Sequence, residues 1–472
     1  MHPKLLRGLF AWIGLSLCCG LWCSNAQAIS IREEEQLSRE FLKVIKQHVE
    51  IIDDPLINDY VDRVGRSVLV AVPPQPFSFT FHVIKEDVYN AFAIPAGHIF
   101  VNSGMIMAMD NEEDLAGILS HEISHVVCRH ISQRIERSKK IDMASMAGMV
   151  AGIFLGALVG SPEVAQSMIM GSQAAGQAAT LGFSRDDEVQ ADQLGLTYLA
   201  ETGYSAQGLL DMLHKIRSQQ WFGSDVVPSY MMTHPAVEQR IVDIDAWMAT
   251  HQQADHARGG AVGQGDTFRW VVLRLRALFG DTATTEQFFQ AAIRDGESAE
   301  VAYGYALFLV RLGRRTEAQA WLRKSLARKA MDPIVLTELG RVYFLDGRYQ
   351  EALGILTGVA SLPGRHSEAE FYLGRVLLAM QQYQGAVTRF ENLLRAPNIH
   401  SETYYYLGEA YNRSGNEANA HYYLGLFYHN TGDAKLAFYH LTKAGKIIQD
   451  SKKQKIIKML LEEIGPPPEP SE

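Results

Sequence analysis

Apolar and polar positions divide this chain into two stretches of different rhythm. From residue 30 to 72, charges are interleaved with Leu37, Phe41, Leu42, Val44 and Ile45, a spacing that predicts helix. "PFSFTFHVI" (76–84) alternates apolar and polar, the period of a half-buried strand. "NAFAIPAGHIFVNSGMI" (90–106) reads as loop, then strand, then turn. From 110 to 138 a broad apolar face (Leu115, Ile118, Leu119, Val126, Val127) predicts one long helix. Residues 183–203 predict another, with Ser184 as N-cap and Asp187 completing a capping box. Between them, "MASMAGMVAGIFLGALVG" (143–160) has no charge. Its length would cross a bilayer, so a membrane anchor or peripheral membrane contact is the alternative, but its many glycines and alanines favour a buried or surface-lying helical hairpin.

The second rhythm has a period of 34. Gly340, Gly374 and Gly408 end similar triplets, and an alanine follows each by twelve residues: Ala352, Ala386 and Ala420. Ala306 and Ala318 hold the same two positions one period earlier. Small residues at fixed places let paired helices approach closely, and 34 is the tetratricopeptide period. The pattern then slips by half a repeat to Gly425 and Ala437, as if helix 416–430 served two pairs. The sequence thus divides into 29–250, a polar Gly-rich linker at 251–266, a helical solenoid at 267–464 and a Pro-rich disordered tail at 465–472.

Residues 1–28 read as an export leader. Lys4 and Arg7 precede an apolar run, and Ala26, Gln27 and Ala28 supply a cleavage site. Three of the four cysteines lie in that leader, so Cys128 alone remains and no internal disulfide can form. The net charge is −9, and loss of the two leader cations takes it to −11. A nucleic-acid partner is excluded, because phosphate binding needs a basic face. The expected location is the periplasm, with or without membrane association.

The chemistry concentrates at "LSHEISHVVCRH" (119–130). His121 and His125 are four apart, so on a helix both rings reach one metal, and Glu122 lies beside it as a general base. His130, nine residues on, is expected to face away. Cys128 and Ile131 stand where the metzincin pattern wants Gly and His, and Cys128 reads as a packed thiol. A catalytic zinc wants three protein ligands and a water. "EVQAD" offers the third, with Glu188 as ligand and Asp192, four residues on, holding a histidine from behind. The competing reading is a solvated acidic helix start.

HExxH, a downstream ExxAD, an upstream "NAFAIPAG" and a downstream "THPAVEQRI" stand in the order found in the gluzincin metalloendopeptidases, the family of HtpX and the CAAX prenyl proteases. Residues 30–245 resemble that family. With leader and repeats, the layout is similar to its periplasmic members that assist β-barrel assembly in Gram-negative bacteria. The resemblance implies an α+β, mostly helical protein: a zincin-like metalloprotease domain with a small sheet, then an all-α tetratricopeptide solenoid. It implies one zinc per molecule on His121, His125 and Glu188, with Glu122 as base. It makes Asn90, Pro95 and Gly97 part of a substrate-binding edge strand and loop. His234 and Arg240 fall near the zinc, either as oxyanion stabilisers or, for His234, as a fourth ligand that keeps the enzyme latent. Expected partners are protein or peptide substrates and the outer-membrane protein assembly machinery. The expected function is an envelope quality-control endopeptidase acting on misassembled outer-membrane proteins. The alternative is a chaperone-like assembly factor that works mainly through its repeats.

Overall fold

A computed structural model describes residues 29–137, 183–222, 229–257, 265–364, 366–395 and 400–465. The leader, the apolar run at 143–160 and nearly all of the tail fall outside the described residues.

The helical pattern at 30–72 resolves into two helices, α1 (Ile31–His48) and α2 (Pro55–Leu69). Ser30 and Glu33 close a capping box on α1, while Asp54 caps α2 with Pro55 in its first turn. Three strands follow: β1 (Thr80–Ile84), β2 (Ala91–Ile94) and β3 (His98–Asn102). Their order is β1-β3-β2, with β3 parallel to β1 and antiparallel to β2. The stretch read as loop, strand and turn is therefore a hairpin. Its turn needs Gly97, where φ is +88° and a Cβ would stand 2.9 Å from the Ser78 carbonyl oxygen. Alternation then sorts the side chains. Phe81, Val83, Ala91, Ala93, Ile99 and Val101 pack on one face with α2, and Phe92, Ile94 and Phe100 pack on the other with Leu37, Phe41 and Ile45 of α1.

After a short helix α3 (Ser103–Ala108), the pattern at 110–138 forms two helices instead of one: α4 (Glu112–Val127) and α5 (His130–Arg137). The backbone breaks at Arg129, whose φ is +54°. Arg129 is held there by Glu34 Oε1 at 2.8 Å and by the Ile29 carbonyl at 2.5 Å. Helices α6 (Arg185–Thr202), α7 (Gln207–Phe222), α8 (Ser229–Thr233) and α9 (Val237–Ala257) complete this half. Ser184 and Asp187 form the expected capping box on α6.

The Gly-rich linker is shorter than composition suggests, because α9 runs to Ala257 and α10 (Gly265–Phe279) begins at Gly265. Among the described residues, eleven helices then follow, from α11 to α21: Thr282–Gly296, Ala299–Arg311, Arg315–Arg328, Pro333–Leu345, Tyr349–Ala360, Ser367–Ala379, Tyr383–Leu393, Glu402–Arg413, Glu417–Thr431, Ala434–Ile447 and Ser451–Ile464. The repeat glycines are sockets. A Cβ on Gly340, Gly374, Gly408 or Gly425 would stand 2.6–2.8 Å from the side chain of Leu356, Phe390, Leu424 or Leu441. Each knob lies sixteen residues beyond its socket. Helix α19 both receives and supplies a contact, through Leu424 and Gly425, so it serves two pairs as the half-repeat slip predicts.

Candidate metal centre

Helix α4 is buried almost throughout, and small residues bring its neighbours against it. A Cβ on Gly117 would meet the Leu209 backbone nitrogen at 2.5 Å, and one on Gly195 would meet Ser120 Oγ at 3.2 Å. Its first turn is tied down by Glu112, which accepts hydrogen bonds from Tyr60 (2.5 Å), Arg63 (2.7 Å) and Tyr204 (3.1 Å). This rigid rod aims His121 and His125 at one point, with their Nε2 atoms 3.0 Å apart. Helix α6 brings Glu188, and the turn after α8 brings His234. His234 Nδ1 lies 3.3 Å from His121 Nε2 and 3.1 Å from Glu188 Oε1. One donor atom from each of the four falls within 4.8 Å of every other, and all four residues are buried.

These donors fit a metal. Nitrogen lone pairs from three imidazoles and a carboxylate oxygen converge in a fully buried cluster. That crowding is costly unless a cation sits at the centre, and three nitrogens with one oxygen suit tetrahedral zinc. Glu122 stands beside the cluster, and both its oxygens are buried without a hydrogen-bond partner. Burial pushes its carboxyl above the usual range, against the pull of His234 and His121.

Behind the donors lies a supporting network. Asp192 accepts from His121 Nδ1 at 2.8 Å and from Arg240 Nε at 2.7 Å and Nη2 at 2.8 Å. Burial raises its carboxyl, but Arg240 and His121 outweigh that and hold it low. Arg240 Nη1 reaches Glu188 Oε2 at 2.6 Å, close but poorly aligned for a hydrogen bond. Arg240 therefore braces two acids, and its Nη1 also lies 3.5 Å from the Tyr230 hydroxyl. Phe183 stacks on His125 (centroids 3.8 Å apart) and Tyr230 on His234 (4.4 Å).

His130 does not face away. The break at Arg129 returns it to the site, where its Nδ1 lies 2.9 Å from His125 Nδ1 and its Nε2 lies 2.9 Å from Gln190 Oε1. Its distance from His121 along a single straight helix misplaces it, since α4 and α5 are separate. Phe183, Tyr230 and Gln190 carried no sequence signal, because aromatic rings and amides occur in any core. Thr233 ends α8, and α9 begins at Val237. Asn90, Pro95 and Gly97 are all buried. Asn90 has no partner for either side-chain amide atom. β2 is an edge strand as expected, and Pro95 shares a small cavity with His125. Cys128 is half-buried and unpaired, and burial raises its thiol.

A small mixed sheet over an HExxH helix, with a glutamate delivered from a second helix, is the arrangement of a metallopeptidase domain. The family model described as peptidase family M48 matches residues 55–248, and one described as tetratricopeptide repeat matches 309–364 and 372–446. The first half of the chain is thus similar to peptidase family M48, and tetratricopeptide repeats lie behind it. It is 25% identical over 329 residues to the beta-barrel assembly-enhancing protease of Escherichia coli (strain K12), covering 68% of this chain and 63% of that one. The Yersinia pestis protein of the same name is 24% identical over 329 residues, covering 68% and 64%. A mitochondrial metalloendopeptidase of Arabidopsis thaliana is 25% identical over 191 residues, covering 40% and 36%. The chain thus spans slightly less than two thirds of the length of the first two. Among the described residues, no helix is long and apolar enough to cross a membrane.

Proposed function

We propose that this protein is a zinc-dependent endopeptidase of the bacterial periplasm, held latent until a client arrives, whose clients are misassembled outer-membrane proteins. The observation that carries the peptidase reading is the buried convergence of His121, His125, Glu188 and His234 beside an unpartnered Glu122. The leader read at residues 1–28 supports the location. The client class rests on the likeness to proteases named for β-barrel assembly.

His121, His125 and Glu188 would hold the metal. A bound zinc supplies Lewis acidity, bringing the pKa of a water to about 7 and polarising a peptide carbonyl. Glu122 takes the water's proton at its free carboxylate oxygen and returns it to the leaving amine. Its full burial raises its proton affinity toward that task. Asp192 fixes the tautomer of His121 and is itself held by Arg240. Arg240 acts as a positioning residue.

His234 decides between rest and action. Its Nδ1 points into the donor cluster, and its Nε2 lies 3.5 Å from Glu122 Oε1. With His234 as a fourth donor, a bound tetrahedral zinc would have no position left for water, so His234 would have to withdraw before the reaction starts. This closed arrangement favours latency over constant activity. It also keeps open the second reading, in which the repeats assist assembly and cleavage is rare.

The test is zinc content and casein cleavage by purified residues 29–472, alongside Glu122→Gln. One zinc per molecule in both proteins, with cleavage lower by about 10²–10⁴-fold in the variant, is the expected result. Absence of zinc from protein purified without chelator would end the enzymatic reading.

A further inference from the structure

His130 meets His125 Nδ1 only while α5 stays docked. One residue grips both ends of that helix. The Ile29 carbonyl accepts from Arg129 Nη2 at 2.5 Å, at the break that begins α5. The Ile29 nitrogen donates to Glu136 Oε1 at 2.7 Å, in the last turn of α5. Between these two bonds the Ile29 side chain packs on the apolar cluster that contains Ile131 and Ile135 of α5. Ile29 is half-buried, and Ser30 directly after it caps α1. Other charges near α5 are paired elsewhere: Arg129 with Glu34 at 2.8 Å, and Arg134 toward Asp187 at 3.9 Å. Among the described residues, Glu136 meets no side-chain cation, and its partner is the Ile29 nitrogen.

Ile29 is also the residue that follows "AQA", the cleavage signal read at 26–28. In an uncut chain its nitrogen is a neutral amide. Hydrolysis of the Ala28–Ile29 bond by a leader peptidase consumes one water. Ala28 leaves with a carboxylate, and Ile29 keeps an amine that takes up a proton at neutral pH. The nitrogen that lies 2.7 Å from Glu136 then carries a positive charge. A neutral hydrogen bond becomes a charge-assisted one, about twice as strong. We propose that removal of the leader sets the metal centre: the Ile29 α-ammonium pairs with Glu136, clamps α5 and holds His130 against His125. This rests on the leader and metal readings given above and adds a maturation step to them.

The test compares residues 29–472 with residues 28–472, both released from a fusion partner. The longer chain keeps an ammonium but moves it one residue, about 3.5 Å, along the backbone. Zinc affinity is read by chelator competition, and amide exchange of α5 by mass spectrometry on zinc-free protein. In 28–472, zinc is expected to bind about fivefold more weakly and α5 to exchange about fivefold faster. Glu136→Gln should bring 29–472 to the same values and leave 28–472 unchanged. Equal zinc affinity in the two chains overturns the proposal without any need for a variant. So does an effect of Glu136→Gln that is equal in both, which would make Glu136 a packing residue. If neither chain binds zinc, the metal reading has failed and the proposal falls with it; a difference in α5 exchange tells that failure from failure of the clamp. The intact mass of protein recovered from the periplasm after expression of residues 1–472 is expected to match a start at Ile29. A start elsewhere overturns the leader reading and the maturation step together.

Discussion

His130 shows how a single residue can support a candidate metal site from behind its donors. If His125 coordinates through Nε2, its Nδ1 carries the proton and must donate it. His130 Nδ1 then accepts, and His130 Nε2 donates to Gln190 Oε1. Only one order of protons satisfies all three groups. His130→Phe should weaken zinc binding by about 10- to 100-fold in a chelator competition, while His130→Asn, which keeps an acceptor near Nδ1, should retain most of it. Equal affinity in all three proteins would reduce His130 to packing. His234 makes the opposite prediction. His234→Ala should raise basal casein cleavage, whereas loss of cleavage would assign His234 to oxyanion stabilisation. His121, Glu122, His125, Glu188 and Asp192 could be found in the sequence because four-residue spacing on a helix is rigid. His130 could not, because its position depends on one left-handed residue, Arg129, whose conformation is imposed by Glu34 and Ile29 from a distant part of the fold.

At the scale of elements, the sheet carries a test of its own. His82 on β1 and His98 on β3 lie on the face covered by α1, with Thr80 Oγ1 2.5 Å from His98 Nδ1 and His82 stacked on Phe100. Burial lowers His82 to about 3 and His98 to about 4, with Lys46 adding to both. Each is neutral in the fold, while an unfolded histidine protonates near 6.5. The stability tied to this neutrality is therefore complete above about pH 6.5 and declines as pH falls toward 4. Denaturant midpoints should drop over that window, and His82→Phe should flatten the drop. An unchanged pH profile in the variant would place the titration elsewhere. The sequence revealed strand periodicity at 76–84 but not the hairpin after it, because "AIPAG" is both turn and strand end. Its tertiary contact to Ser78 settles which. The solenoid was far easier to read, since each repeat restates the same sockets and only neighbouring helices must agree.

At the scale of the whole molecule, the two halves are joined by buried charge as well as by apolar surface. Arg274 on α10 binds Asp54, the cap of α2, at 2.8 Å, Glu368 on α16 at 2.5 Å, and the Tyr303 hydroxyl at 2.8 Å. Removing it would strand the buried Asp54 and the half-buried Glu368, so Arg274→Met should cost about 3 kcal/mol in chemical denaturation. A loss below about 1 kcal/mol would mean that water already reaches the cluster. No pattern in the sequence announced this triad, because its members are 220 and 94 residues apart. Composition marked a linker, yet the helix after it is shared. Phe268, Val271 and Leu275 of α10 enter the core around the sheet, while Trp270, Leu273 and Ala277 enter the core of the repeats. The repeats are thus no detachable accessory. A fragment cut at the Gly-rich stretch would leave the peptidase half with a missing wall, and a chimera with foreign repeats would need to keep this helix or rebuild both interiors at once.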